Sequence, residues 1–279
     1  MTVAVITDSA SDIPHALAGE LGIIVVPLHV RFGTEEMLDR VELRSEEFWQ
    51  RCSVSAELPQ TAAPSPGAFE QAFRSAQSAG ANGAVCVTLS KGLSATGEAA
   101  SQAARAVASD FPVEVVDSAS VTMGEGLIAL EAAEAARAGA SLQDVVAAAE
   151  SARSRVRVFG LIDTLDNLKR GGRIGGAAAA VGTLLSIKPV IEVRDGAVEQ
   201  ESKQRTRARS MRYLADKVRA AAPLERLALL NTNASDFGQL VEMLSGVPVS
   251  APVVIGEIGP VVSTHAGAGA IGAAWLERR

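Results

Sequence analysis

The stretch "IKPVIEVRDGAVEQESKQR", Ile187–Arg205, decides how the chain is divided. Two extended runs flank Asp195-Gly196, a pair that tolerates positive φ and closes a tight two-residue turn, so the segment reads as a β-hairpin. It interrupts a different rhythm upstream. There, β-branched runs alternate with Ala-rich runs: "VAVI" (3–6), "IIVVPLHV" (23–30), "AVCVTL" (84–89) and "VEVV" (113–116) read as strands. The helical runs between them are 67–79, with Phe69, Ala72, Phe73 and Ala76 on one face, then 95–109 and 124–139. Ser141 and Asp144 form a capping box for a further helix. This βαβ alternation implies a largely parallel sheet with helices outside.

Past residue 156 the pattern changes. "VRVFGLI" (156–162) reads as a strand, and "DTLDNLKRGG" (163–172) as a short helix stopped by Gly171 and Gly172. After the hairpin come a basic helix (206–221), a strand (226–232), a helix (235–245) and a strand over "VVIGEIGPVVST" (253–264). The expected fold class is therefore α/β with two domains: an N-terminal α/β domain, 1–156, and a C-terminal α+β domain, 157–279. No low-complexity linker separates them, so they should pack tightly.

Composition narrows the function. The 279 residues carry a net charge of −6, which argues against a general nucleic-acid binder. Apolar residues make up 48% and aromatics 4%, so core and pocket walls should be mostly aliphatic. Cys52 and Cys86 have no metal spacing, and Cys86 reads as a core residue. The opening apolar run is too short for a signal peptide, and the Ala-rich stretch after Gly175 is too short and glycine-broken to span a membrane. A cytoplasmic protein is expected. No P-loop, zinc-protease or EF-hand motif occurs.

The run "GPVVSTHAGAGAIG" (259–272) holds a G-x-G-x-x-G match at Gly267, Gly269 and Gly272. A dinucleotide fingerprint needs a following helix and an acidic residue about 20 positions on. Seven residues follow Gly272, so a nicotinamide cofactor is rejected. The glycines instead serve close backbone approach or a sharp turn into a last short helix. Of the three histidines, His15 reads as a surface residue and His29 as a satisfied core residue. His265 sits at an expected strand end before a glycine loop, where α/β proteins hold ligands.

"TLSKGLSATGEAA" (88–100) runs from a strand through a hydroxyl-rich loop into a helix. Ser94 or Thr96 is expected as the N-cap. Ser90, Ser94 and Thr96 exceed one cap's needs, so a carboxylate or phosphate site fits there. "GLSAT" is also one residue short of the G-x-S-x-G serine turn. Ser94, Asp117 or Asp163, and His265 would run in α/β-hydrolase order, so a serine hydrolase on lipid esters is the alternative. Arg205, Arg209 and Arg212 share a helical face by spacing; with Arg173 they could dock an acidic partner.

Six motifs, in order, resemble those of the DegV family, the fatty-acid-binding proteins that serve bacterial fatty acid kinase (FakB-type proteins). They are "VITDSASDIP" (5–14), "QTAAPSP" (60–66), "LSKGLSAT" (89–96), "VVDSASV" (115–121), "TLDNLKRGGRIGG" (164–176) followed by "LLSIKPVI" (184–191), and the run 259–272. The resemblance implies a non-enzymatic carrier with one long-chain fatty acid in a tunnel between the domains. A partner kinase would phosphorylate the acyl carboxylate for phospholipid synthesis. Thr61, Ser94 and His265 should hold the carboxyl group, with Ser90, Thr96, Thr264 and Gly267 in its vicinity. Arg173 and Arg205 should face the kinase. No cofactor or metal is implied, and transient contact with a membrane is allowed. Asp8 and Ser9 belong to the first motif without an assigned role. Ala62, Ala95 and Ala268 replace the family's Ser, Gly and Pro. Burying a 16-carbon tail at about 0.8 kcal/mol per CH₂ gives roughly 11 kcal/mol before association costs. Neutral hydroxyls and one imidazole therefore suffice at the head group. On this reading "STHAGAGA" covers the carboxylate, with its glycines allowing close approach.

Overall fold

The computed structural model describes residues 2–55, 57–178 and 187–279. Its first half runs β1 (Val3–Asp8), α1 (His15–Leu21), β2 (Ile23–Val26), β3 (His29–Phe32), β4 (Glu35–Leu38), α2 (Ser45–Val54), β5 (Gln60–Ala62), α3 (Pro66–Ser78), β6 (Gly83–Thr88), α4 (Thr96–Val107), β7 (Val113–Asp117), α5 (Met123–Arg137) and α6 (Leu142–Arg155). Strands β2-β1-β6-β7 form the expected parallel sheet. The capping box opens α6, where the Ser141 hydroxyl accepts the Asp144 N–H at 3.2 Å. The run 23–30 is two strands, not one. Pro27 carries no N–H for a ladder, and beyond it the chain leaves for a small antiparallel sheet, β4-β3-β5. There His29 is half-buried and meets Glu36 at 3.0 Å, so it is paired at the sheet's side rather than enclosed in a core.

The second half runs β8 (Val156–Leu161), α7 (Asp166–Arg170), β9 (Lys188–Arg194), β10 (Ala197–Gln204), α8 (Arg207–Ala221), β11 (Leu224–Asn231), α9 (Phe237–Leu244), β12 (Val254–Glu257), α10 (Pro260–Ala266) and β13 (Ile271–Glu277). They build a six-stranded sheet, β10-β9-β8-β13-β11-β12, antiparallel except between β11 and β12. The hairpin β9–β10 turns at Asp195 (φ 50°) and Gly196 (φ 82°). Gly196 is also a close approach, since a Cβ there would lie 2.6 Å from the Ser90 hydroxyl. The first three residues of "LLSIKPVI" and part of the Ala-rich stretch lie outside the described residues.

Two expectations are corrected at the C-terminus. "PVVSTHA" is a helix, with Pro260 at its first position, where a missing N–H costs nothing. The last element is a strand: β13 inserts between β8 and β11 at the sheet centre, and its first six residues are buried.

The two sheets share one helical layer. Helix α5 is apolar around most of its circumference, as a helix buried on all sides must be. It packs on β1 and β6 of the first sheet and on β8 and β13 of the second. One core cluster accordingly joins Val3 and Val85, Leu127 and Ile128, and Val158, Ala228 and Ala274. Among the described residues, no helix is long and apolar enough to cross a membrane.

Candidate functional site

The repeated "DSAS" motifs explain how the site's loop is held. Strands β1 and β7 flank β6, and each ends in an aspartate. Asp8 accepts the N–H of Leu89 at 2.9 Å, and Asp117 that of Lys91 at 3.2 Å. The Ser90 N–H between them bonds the Ser120 carbonyl at 2.7 Å. Three consecutive amides of the loop after β6 are thus fixed from both sides.

That loop, β5, α10 and the α7 end meet around one cavity. Leu28, Leu89, Leu93, Val121, Leu168, Ile191, Val193, Val198, Val261 and Val262 give it an aliphatic lining, and Thr61, Ser94, Arg173 and His265 its polar groups. Its open space is about 110 Å³, below the roughly 300–1,000 Å³ of typical small-molecule sites. A bulky guest must part the aliphatic walls. A second, polar cleft of about 520 Å³ lies on the other side of Thr61, Arg173 and His265, with Asn167 and Arg170 on its wall. The hydroxyl–imidazole pair is therefore a partition between an apolar interior and a polar surface.

Thr61 Oγ1 lies 3.0 Å from His265 Nε2. A proton on Nε2 makes the imidazole the donor and leaves the Thr61 O–H free to point at a ligand oxygen. Nδ1 is buried with no partner among the described residues. It faces Gly171, where an added Cβ would lie 2.8 Å from His265 Cε1 and closer still to Nδ1. Burial, and then the nearby Arg173 charge, lower the His265 pKa to about 4, so the ring is neutral near pH 7. Arg173 is half-buried. Its Nε donates to the Leu93 carbonyl at 3.0 Å and its Nη1 to the Gly171 carbonyl at 2.7 Å.

The structure brings Thr61, Ser94, His265 and Arg173 together and leaves other candidates aside. Ser90 is buried and donates to the Gly196 carbonyl at 2.7 Å. Thr96 Oγ1 pairs with Ser94 Oγ at 2.9 Å. Neither caps α4 in the expected way. Its N-cap is Ala95, and Ser94 instead accepts the Thr96 N–H at 3.3 Å. Thr264 bonds back to the Pro260 carbonyl at 2.9 Å. Gly267 ends α10 and packs against Asn167, so the "GAGAIG" glycines turn the chain, and the close approach to the imidazole belongs to Gly171. Arg205 is exposed and precedes α8, off the helical face that carries Arg209 and Arg212.

The hydrolase arrangement is not assembled. His265 bonds Thr61, while Ser94 bonds Thr96. Asp117 holds loop amides, and Asp163 pairs with Lys188 and Arg207, each at 3.0 Å. Asn167 and Arg170, at the outer cleft, escaped the sequence reading. Their i, i+3 spacing on one helical face was the available signal.

Beneath the cavity lie four buried carboxyl groups, Asp8, Asp12, Asp39 and Glu125. Burial raises Asp8 and Asp39 to about 7 and Asp12 to about 6. Burial, then the Asp8 charge, lifts Glu125 well above the usual range. The folded chain thus keeps protons that the unfolded chain has lost, so the contribution of these groups to stability is full below about pH 4 and is lost as pH rises toward 7. Asp39→Asn, a neutral mimic of the protonated acid, should flatten the fall in stability between pH 5 and 7 in urea titrations. Slopes equal to wild type would show that Asp39 titrates as an ordinary carboxyl.

A shared helical layer between a parallel and a mixed sheet defines the class: a two-sheet α/β protein with a polar-tipped apolar cavity. The family described as uncharacterised DegV proteins matches residues 2–278, and the chain belongs to that family. A DegV domain-containing protein of Streptomyces coelicolor is 34% identical over 276 residues, covering 97% of this chain and 96% of the relative. A fatty-acid-binding DegV family protein of Thermus thermophilus superposes with a TM-score of 0.92 at 34% identity, covering 100% of both chains. DegV of Bacillus subtilis, described as a fatty acid binding protein, gives 0.88 at 28% identity, again over 100% of both chains.

Proposed function

We propose that this chain binds one long-chain fatty acid, with its tail among the aliphatic walls and its carboxylate at Thr61, Ser94 and His265. It presents that carboxylate to a partner fatty acid kinase for acyl-phosphate formation, and performs no catalysis alone. The observation that carries this reading is the partition: Thr61, Arg173 and His265 border both the apolar cavity and the outer polar cleft. A carboxylate held there is within reach from outside while its tail stays out of water. The fatty-acid-binding relatives support the same ligand class. Arg173 and the exposed Arg205 are the proposed docking cations, and 1–156 and 157–279 the proposed domains, in a cytoplasmic protein.

Denaturing solvent extraction of the purified protein, followed by mass spectrometry, tests the ligand. One fatty acid per chain is expected. An empty extract, from protein that also fails to take up added palmitate or oleate, would overturn the reading. Adding a fatty acid kinase and ATP to the loaded protein should give acyl-phosphate, and Arg173→Ala should lower that rate.

A further inference from the structure

We propose that Asp12 is a positioning residue for carboxylate binding: it fixes the start of α10 so that His265 meets Thr61. The inference rests on the fatty-acid reading above. Asp12 follows the one-turn 3-10 segment Ser9–Ser11, has a left-handed backbone (φ 53°) and is 1% exposed. Its Oδ1 accepts the Gly259 N–H at 2.8 Å and its Oδ2 the Thr122 hydroxyl at 2.7 Å, with Arg40 Nη1 4.0 Å from Oδ1.

Gly259 is the N-cap of α10 and has no side chain with which to cap it, and Pro260 supplies no N–H. A carboxylate from 247 residues away does the fastening instead. A helix of seven residues has little stability of its own, so its attachments set its position. The far end is tied by Asn167 to the Thr264 carbonyl at 3.2 Å and by Thr232 to the Gly267 carbonyl at 2.6 Å. Without the Asp12 bond, the start of α10 keeps the Ile258 N–H on the Asn231 carbonyl and the Val261 amide on Asp39, but the N-cap amide itself loses its partner and the helix can roll about its axis. A side-chain tip about 6 Å from the axis moves about 1 Å for a roll of about 10°. The 3.0 Å contact with Thr61 does not survive that.

The same turn fastens two more cavity walls. Ser9 Oγ accepts the Leu28 N–H at 3.0 Å and donates to Asp39 at 2.6 Å. Asp8 holds Leu89. The "TDSASD" segment thus sets Leu28, Leu89 and α10 relative to one another, which gives Asp8 and Ser9 a place in the site.

The test compares wild type, Asp12→Ala, Asp12→Asn and Thr122→Val by palmitate affinity and by NMR titration of the three histidines. Asp12→Ala should weaken palmitate binding tenfold or more. It should also move the His265 pKa up from about 4 toward its ordinary value, 6.5. Asp12→Asn, which keeps an acceptor for the Gly259 N–H, should stay within threefold of wild type. A folded Asp12→Ala protein with unchanged affinity and unchanged His265 titration overturns the proposal. Where Asp12→Ala does not fold, Thr122→Val carries the same readouts. A shift in the same direction supports the role, and unchanged values overturn it. Wild type that binds no palmitate sinks the fatty-acid reading, while the His265 titration, which needs no ligand, still tests the positioning.

Discussion

Gly171→Ala should leave the fold intact and cut fatty-acid affinity about 10- to 100-fold. The backbone at Gly171 is ordinary right-handed helical, φ −77° and ψ −7°, so alanine suits it. The methyl group does not. It would press into the His265 ring, 2.8 Å from Cε1 and closer to Nδ1, and the ring must swing off Thr61. A hydrogen bond to a charged group is worth about 1.5–3 kcal/mol, and each 1.4 kcal/mol is about tenfold in affinity. Calorimetric titration with palmitate reads the affinity, and differential scanning fluorimetry should show a melting temperature within a few degrees of wild type. Wild-type affinity in Gly171→Ala would mean that His265 is not a carboxylate ligand.

Leu93→Glu should be more severe. Leu93 is a half-buried loop residue that lines the cavity next to Ser94, and its carbonyl accepts from Arg173. A glutamate there brings a second carboxylate to the head-group end. Two like charges about 5 Å apart at an effective dielectric of about 20 repel by about 3 kcal/mol, a loss of more than a hundredfold. Protein purified with this substitution should yield no fatty acid on extraction, while Leu93→Met should retain it. Stoichiometric fatty acid in Leu93→Glu would place the carboxylate elsewhere.

Local chemistry made much of the fold legible. The parallel sheet followed from β-branched runs spaced by helices, and the hairpin from Asp195-Gly196, because both signals lie within a few residues of each other. What sequence spacing could not supply was partnership across the chain. "VVST" reads as a strand by its branched residues, yet Pro260 after Gly259 already marked a helix start. The glycines of 267–272 suggested a sharp turn into a last short helix, and only the place of β13 between β8 and β11 makes that segment a strand. Of the residues that line the cavity, Thr61, Ser94 and His265 were singled out by motif. The close approach of Gly171 to the His265 ring had no signal in the sequence, because it joins two segments far apart in the chain. The Asp12–Gly259 and Asp8–Leu89 bonds join positions no local pattern relates.

Helix α5, with apolar residues facing both sheets, limits how this protein can be divided. A break near residue 156 would separate strands but not cores. Either fragment would bare a face that the other now covers, Leu127 and Ile128 on one side, Val158 and Ala274 on the other. The two halves share one core, so neither proposed domain is expected to fold without the other. The unbroken family match from residue 2 to 278 accords with that. Substitutions should be better tolerated in the surface loops than at the core positions the two halves share.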